Sequence, residues 1–249
     1  MPFFPQFSNL FVPPYIPQQV IIPSSLGNLG LWLKADAGVN TSGSNVTSWE
    51  DQSGNGNDAT TQYGSPTLEF NQINGFPAIA FATDSYMTAP SIISGANSRT
   101  MFVVYYTDNA DSISNTICGE NALSGAAGSR YFCIQARNDF LNSSPYLACY
   151  ADDLSGPEYV NNIWNIAMAD YDGTTASLYN NESLQNSGSK ELNTAGDIFA
   201  IGGFYDIAFS SYRELFGGKI AEIVVYNSTL SQTERTGLFT YLNQRYAIY

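Results

Sequence analysis

The residue pattern predicts an all-β fold, a two-sheet antiparallel sandwich or jelly roll with one C-terminal helix and an extended N-terminal arm. Three observations carry that expectation. From Leu29 onward, short runs rich in Val, Ile, Tyr, Phe and Thr alternate with clusters of Gly, Asn, Ser and Asp, which is how strands and turns are spelled. Only one stretch, near the C-terminus, carries helical spacing with a cap. No repeat of fixed period is visible, which argues against solenoids and propellers, and 249 residues suit one sandwich domain.

Taken in order, the first element is the arm, residues 1–25. Six of the 11 prolines, Pro2, Pro5, Pro13, Pro14, Pro17 and Pro23, fall here, so neither a helix nor a central strand can form. Phe3, Phe4, Phe7, Phe11 and Tyr15 are interleaved with them. Such rings are costly to leave in water, at roughly 1.5–3 kcal/mol each if burial is available, so the arm is expected to dock on a neighbouring surface. The domain proper is residues 26–249. Its expected strands are Leu29–Ala35, Thr67–Phe70, Ala78–Ala82, Thr100–Thr107, Asn115–Gly119, Tyr131–Ala136, Tyr146–Tyr150, Asn162–Asp170, Thr174–Tyr179, Ile198–Phe204 and Lys219–Tyr226. Asp172-Gly173 marks a hairpin, because the pair supplies the positive φ of a tight turn. Ser231-Gln-Thr-Glu234 is a capping box, followed by Leu238, Tyr241, Leu242 and Tyr246 at helical spacing. That helix is expected at the end of a sheet.

Composition narrows function. Charged residues make up 12% of the chain, about half the roughly 25% usual in soluble proteins, while Asn, Ser and Thr supply 67 positions. The surface is wetted by amides and hydroxyls. A net charge of -13 from 9 basic and 22 acidic residues repels nucleic acid and anionic headgroups, so neither nucleic acid nor membrane is an expected partner. The chain contains no histidine, which removes the commonest general base and every His-ligated metal site. Cys118, Cys133 and Cys149 permit at most one disulfide, and their spacing fits no zinc or redox pattern; they read as small buried residues, with their redox state open. MPFFPQFSNLF lacks a basic n-region and is broken by prolines, so no secretory signal is expected.

Two stretches resemble a known family. Leu31-Trp-Leu-Lys-Ala-Asp-Ala-Gly38, with Trp49-Glu-Asp-Gln-Ser-Gly-Asn-Gly-Asn-Asp-Ala59 and Asn74-Gly-Phe-Pro-Ala-Ile79, is similar to the opening of laminin-G-like domains of the concanavalin A-like lectin and glucanase superfamily. Gly218-Lys-Ile-Ala-Glu-Ile-Val-Val-Tyr-Asn227, with Leu230-Ser231 and Glu234-Arg235, resembles that family's last strand and closing helix. The resemblance spans residues 29–249 and implies a jelly roll of two packed antiparallel sheets, used for sugar binding, adhesion or structure and in some members for glycoside hydrolysis.

Candidate sites follow. A hydrolase on this fold needs two carboxylates flanking the scissile bond. No Glu-x-Asp-x-Glu strand is present; Asp206 and the pair Arg213–Glu214 look scattered, and Asp152-Asp153 sits in a loop where the side chains should diverge. No catalytic residue is assigned and an enzyme is not expected. Asp51, Ser53, Asn55 and Asn57 place oxygens at alternating positions like the first half of a calcium loop, but Gln62 stands where the closing Glu belongs. The same residues also suit plain turn chemistry, so calcium is a candidate ligand and otherwise no cofactor is expected. Tyr146, Tyr150, Tyr205 and Tyr212 are the candidate glycan contacts, whereas Trp32, Trp49 and Trp164 read as core.

A jelly roll of this kind without a leader fits a particle made in the cytoplasm and released by lysis. The expectation is a non-catalytic virion-surface structural protein, such as a phage carries, either a capsid decoration or a fibre component. The arm docks on other structural subunits, and a homo-oligomer is expected. The alternative is a free-standing extracellular module that binds cell-surface glycans; a glycoside hydrolase is the least favoured reading.

Overall fold

The computed structural model describes residues 19–82, 84–107, 115–122, 128–138, 143–157, 160–206 and 211–249, with the backbone alone described at Asn138, Ser143, Tyr205, Asp206 and Ser211–Arg213. In chain order the first strands are β1 (Leu29–Lys34), β2 (Val39–Ser42), β3 (Asn45–Trp49), β4 (Ala59–Tyr63), β5 (Thr67–Ile73), β6 (Phe76–Ala82) and β7 (Tyr86–Ala89). Then come β8 (Arg99–Thr107), β9 (Asn115–Asn121), β10 (Phe132–Asn138), β11 (Ser143–Ala148), β12 (Leu154–Ser155) and β13 (Trp164–Tyr171). The rest are β14 (Thr175–Asn180), β15 (Ser183–Ser189), β16 (Ile198–Ile201), β17 (Phe204–Asp206), β18 (Ser211–Arg213) and β19 (Gly217–Tyr226), followed by the helix α1 (Gln232–Tyr246).

Among the described residues every pairing between these strands is antiparallel, and, apart from the separate β17–β18 hairpin, the pairings sort into two layers. In the first, β15, β14, β13, β8 and β19 lie side by side, with β1 and the β5–β6 hairpin sharing the far edge of β19. In the second, the order is β2, β3, β4, β7, β16, β9, β10, β11 and β12. Among the described residues a single strand pairing, Asn45 with Thr67, links the layers at one edge. The chain is thus the all-β two-sheet sandwich expected, consistent with a jelly roll.

Leu31, Leu33, Val103, Tyr105, Ile223 and Val225 of the first sheet meet Phe132, Ile134, Leu147, Phe199 and Ile201 of the second in one core. The central strands of the first sheet are buried on both faces, because Phe102, Val104, Ile166, Met168 and Val224 turn outward and α1 covers them. This explains why β8, β13 and β19 read as nearly unbroken apolar runs, the pattern of strands covered on two sides. Here the structure corrects the sequence: α1 lies across the sheet face, not at its end. Leu238, Phe239 and Leu242 are each about 1% exposed, and Phe239 meets Phe102 edge-on at 5.1 Å. Burying them contributes roughly 1.5–3 kcal/mol apiece.

Local signals hold where they were strongest. The capping box forms, Ser231 accepting from the Glu234 backbone and Glu234 from that of Ser231. Between β13 and β14 the Asp172 carboxylate accepts from the N–H groups of Thr174 and Thr175, and Gly173 adopts φ +102°. All three cysteines are buried and free.

The arm residues Phe3, Phe4, Phe7, Phe11 and Tyr15 lie outside the described residues. The root of the arm is described and is fastened to the domain. Ile21 is 7% exposed and its N–H bonds to the Gly237 carbonyl at 3.2 Å, while the Tyr226 hydroxyl donates to the Pro23 carbonyl at 2.9 Å. A Cβ at position 237 would come within 2.5 Å of Ile21 Cγ1, so the close approach requires glycine. Among the described residues no helix is long and apolar enough to cross a membrane.

Candidate functional site

Alternation along β10 divides its side chains: Phe132, Ile134 and Ala136 enter the intersheet core, which sends Cys133, Gln135 and Arg137 to the outer face of the second sheet. Register then places Gln135 between Thr116 of β9 and Tyr146 of β11. On an uncovered sheet face such polar residues would be unremarkable. Here they are knitted together.

The Gln135 amide donates to Thr116 Oγ1 at 2.9 Å and to the Glu214 carboxylate. Thr116 Oγ1 in turn donates to Glu214 Oε2 at 2.7 Å. Arg137 Nε donates to Gln135 Oε1 at 2.7 Å, and its Nη1 pairs with Asp153 Oδ2 at 2.8 Å. The second oxygen of Asp153 accepts the Cys149 N–H at 2.8 Å. The guanidinium stacks on the half-exposed Tyr146 ring, 4.2 Å from its centroid. Burial pushes the Glu214 carboxyl above the usual carboxylate range, against the lowering pull of the Thr116 hydroxyl and the Arg137 charge. Glu214 sits at φ +52°, a left-handed conformation that costs a non-glycine residue on the order of 1 kcal/mol. Its carbonyl holds the Thr116 N–H at 2.8 Å, which fixes it there.

The candidate tyrosines divide. Tyr146 belongs to this network. Tyr150, 43% exposed, follows the end of β11 in a bend at φ +61°, its ring edge-on to Tyr131 at 5.7 Å; Tyr131 in turn meets Phe204 at 6.1 Å. Phe204 opens the β17–β18 hairpin, across which Tyr205 and Tyr212 are register partners, and their side chains lie outside the described set. Sequence reading missed Thr116, Gln135, Arg137, Asp153 and Glu214. The alternation of Gln135 and Arg137 with Ile134 and Ala136 was a usable signal for the first two. Glu214 looked scattered, because it reaches Gln135 only through folding. Asp152 and Asp153 do diverge, Asp152 pairing with Lys190 at 2.6 Å.

The Asp51 segment gathers as a hydrogen-bonded turn. Asp51 Oδ1 accepts the N–H groups of Trp32 and Ser53, each at 2.9 Å, and Oδ2 accepts from Ser53 Oγ at 2.7 Å and Asn57 N at 3.1 Å. The amides of Asn55 and Asn57 donate to the carbonyls of Leu29 and Gly30 at 2.7 and 2.9 Å. A calcium ion would have to displace those donors, and among the described residues no three His, Cys, Asp or Glu side chains cluster as metal ligands. Of the tryptophans, Trp32 and Trp49 are 9% and 0% exposed. Trp164, expected in the core, is only half-buried, since it opens β13 at the sheet's end.

No family model and no curated protein sequence matches the chain. Solved structures do. Domain 4 of an extracellular arabinanase from Geobacillus stearothermophilus, in complex with arabinotriose, is 15% identical over 84% of this chain and 98% of its own, with a TM-score of 0.60. A structure of botulinum neurotoxin type C, whose cell entry depends on two ganglioside molecules, is 11% identical over 88% of this chain and 52% of that one, with a TM-score of 0.59. Trypanosoma rangeli sialidase in complex with the inhibitor DANA is 15% identical over 89% of this chain and 35% of that one, at 0.60. The chain thus spans nearly all of the arabinanase domain, about half of the neurotoxin chain and a third of the sialidase. At these identities what is shared is the fold, a β-sandwich.

Proposed function

We propose that this chain is a non-catalytic glycan-binding module whose ligand lies on the outer face of the second sheet, over Tyr146 and Tyr150 and beside Arg137. The observation that carries the reading is the fixed aromatic and polar set on that face. Arg137 is held by Gln135 and Asp153 and stacked on Tyr146, so little side-chain entropy is left to lose on binding. Small-molecule sites pair aromatic surface with a few fixed polar groups. The likeness in fold to a domain solved with arabinotriose and to a toxin that needs gangliosides supports the ligand class. Among the described residues the two carboxyls of this network are engaged, Asp153 by Arg137 and the Cys149 N–H, Glu214 by Thr116 and Gln135. Hydrolysis needs one carboxyl free to give a proton and another free to attack or to activate water.

A glycan array probed with the full chain and with Tyr146→Ala tests this. Selective binding that falls at least tenfold in the variant, with no reducing sugar released from the bound glycans, is the expected outcome. Absence of binding across the array, or sugar release abolished by Glu214→Gln, overturns it.

A second reading adds a particle-surface setting, with the arm docking through Phe3, Phe4, Phe7, Phe11 and Tyr15 onto a neighbouring subunit of a homo-oligomer or virion. What favours it is the fastening of Ile21 and Pro23 to α1 and β19, which gives the arm a fixed root. Native mass measurement tests it: a multimer lost on removal of residues 1–18 supports this setting, and a monomer with and without them rejects it.

A further inference from the structure

A groove of about 590 Å³ lies away from the outer-face network, between the β5–β6 turn, the start of β13, the β14–β15 turn and the end of α1. We infer that this groove is a second saccharide site, built on Trp164, and that it takes a neutral oligosaccharide. The volume falls in the range of small-molecule pockets, roughly 300–1,000 Å³. Its floor is aromatic and aliphatic, and its walls carry amides. None of its lining side chains is charged, the set being Gln72, Ile73, Asn74, Ile163, Trp164, Asn181 and the segment Tyr246–Ile248.

Trp164 is set like a platform. Its ring rests against Tyr106, centroids 5.7 Å apart and tilted by 49°, and Ile163 beside it is 49% exposed. Among the described residues the Trp164 indole N–H donates to no protein acceptor, whereas Trp32 Nε1 donates to Glu222 and Trp49 Nε1 to the Lys34 carbonyl. Two flanking amides are each tied at one end and open at the other. Asn181 Oδ1 accepts the Ile166 N–H at 2.9 Å and Asn74 Nδ2 donates to the Arg245 carbonyl at 2.7 Å; among the described residues the NH₂ of Asn181 and the oxygen of Asn74 have no further protein partner. Both asparagines hold left-handed turn positions, φ 46° and 45°, which keeps them from rearranging freely. Two open donors and one open acceptor thus surround an apolar floor. That is the complement of a sugar ring, whose C–H face is apolar and whose hydroxyls both give and accept hydrogen bonds. The lack of a lining cation, on a chain of net charge -13, selects against acidic sugars.

The site stands apart from the outer-face network and shares with the proposed function only the ligand class, so the two can fail separately. Because Trp32 and Trp49 are deeply buried, a ligand-dependent change in tryptophan emission reports on Trp164. The full chain is titrated with xylotriose, cellotriose and maltotriose as neutral probes and with sialyllactose as the acidic one. Expected are a saturable emission change with at least one neutral probe, the same change in Tyr146→Ala, and none with sialyllactose. By calorimetry in the Tyr146→Ala background, the binding heat is lost when Trp164→Ala is added. In Trp164→Phe, which keeps a ring but not the N–H, affinity falls about fivefold, the worth of one hydrogen bond. No saturable change with any neutral probe, an equal emission change with sialyllactose, or undiminished affinity in Trp164→Phe overturns the inference. Loss of the signal in Tyr146→Ala reassigns it to the outer face and overturns the inference as well.

Discussion

Arg99 shows how this chain tolerates charge in its core. It is 0% exposed, donates to the carbonyls of Asn97 and Gly95 and to Thr194 Oγ1 within 2.8 Å, and lies over the rings of Phe132 and Tyr171. Burial lowers its pKa to about 10. Nearby Glu120, 1% exposed, accepts the N–H groups of Ile92 and Ile93 at 2.6 and 2.8 Å and the Ser91 hydroxyl at 2.9 Å. Burial outweighs those bonds and raises its carboxyl from 4.5 to about 7. Between those values the folded state binds the proton and the unfolded state does not, so stability falls as pH rises. The contribution is full below about 4.5, is lost by the time pH has passed about 7, and is on the order of 3 kcal/mol. Glu120→Gln is expected to flatten that part of the stability profile, as measured by urea unfolding across the window. An unchanged slope would assign it to other groups.

At the scale of elements, α1 and the arm root depend on each other. Ser231→Ala removes the acceptor for the Glu234 N–H and is expected to cost about 1 kcal/mol. Ile21→Ala empties the contact against Gly237 and should cost about 2–4 kcal/mol; thermal unfolding checks both. A truncation that removes residues 1–23 should melt lower than one that removes residues 1–18, because only the first takes away Ile21 and the Pro23 carbonyl. Equal melting temperatures would contradict that coupling. The arm boundary at residue 25 was read from proline density, which is blind to Ile21 because the short aliphatic run Val20–Ile22 between Pro17 and Pro23 looks like arm. Strands β8, β13 and β19 were legible since both faces are apolar, and α1 was legible from its cap. The strands β2, β3, β4 and β15 were not, because Thr, Ser, Asn and Gln dominate their exposed edges and resemble loop composition. Trp164 was misplaced for a related reason: periodicity says that a residue is in a strand, not how far that strand's end projects beyond its neighbours.

For the molecule as a whole, two sheets and one helix bury most of the apolar side chains among the described residues, and the outer face of the second sheet is where aromatic and charged groups meet. Tyr146 was legible as a candidate in the sequence. Its partners were not, since Arg137, Asp153 and Glu214 come from three segments that only sheet register and the segment after the β17–β18 hairpin bring together. The most direct test of the central claim is chemical-shift mapping of backbone amides while the labelled full chain is titrated with the glycan that binds best on the array. Shifts concentrated at Thr116, Gln135, Arg137, Tyr146 and Glu214 are predicted. A titration that saturates while those amides stay unmoved would contradict the account.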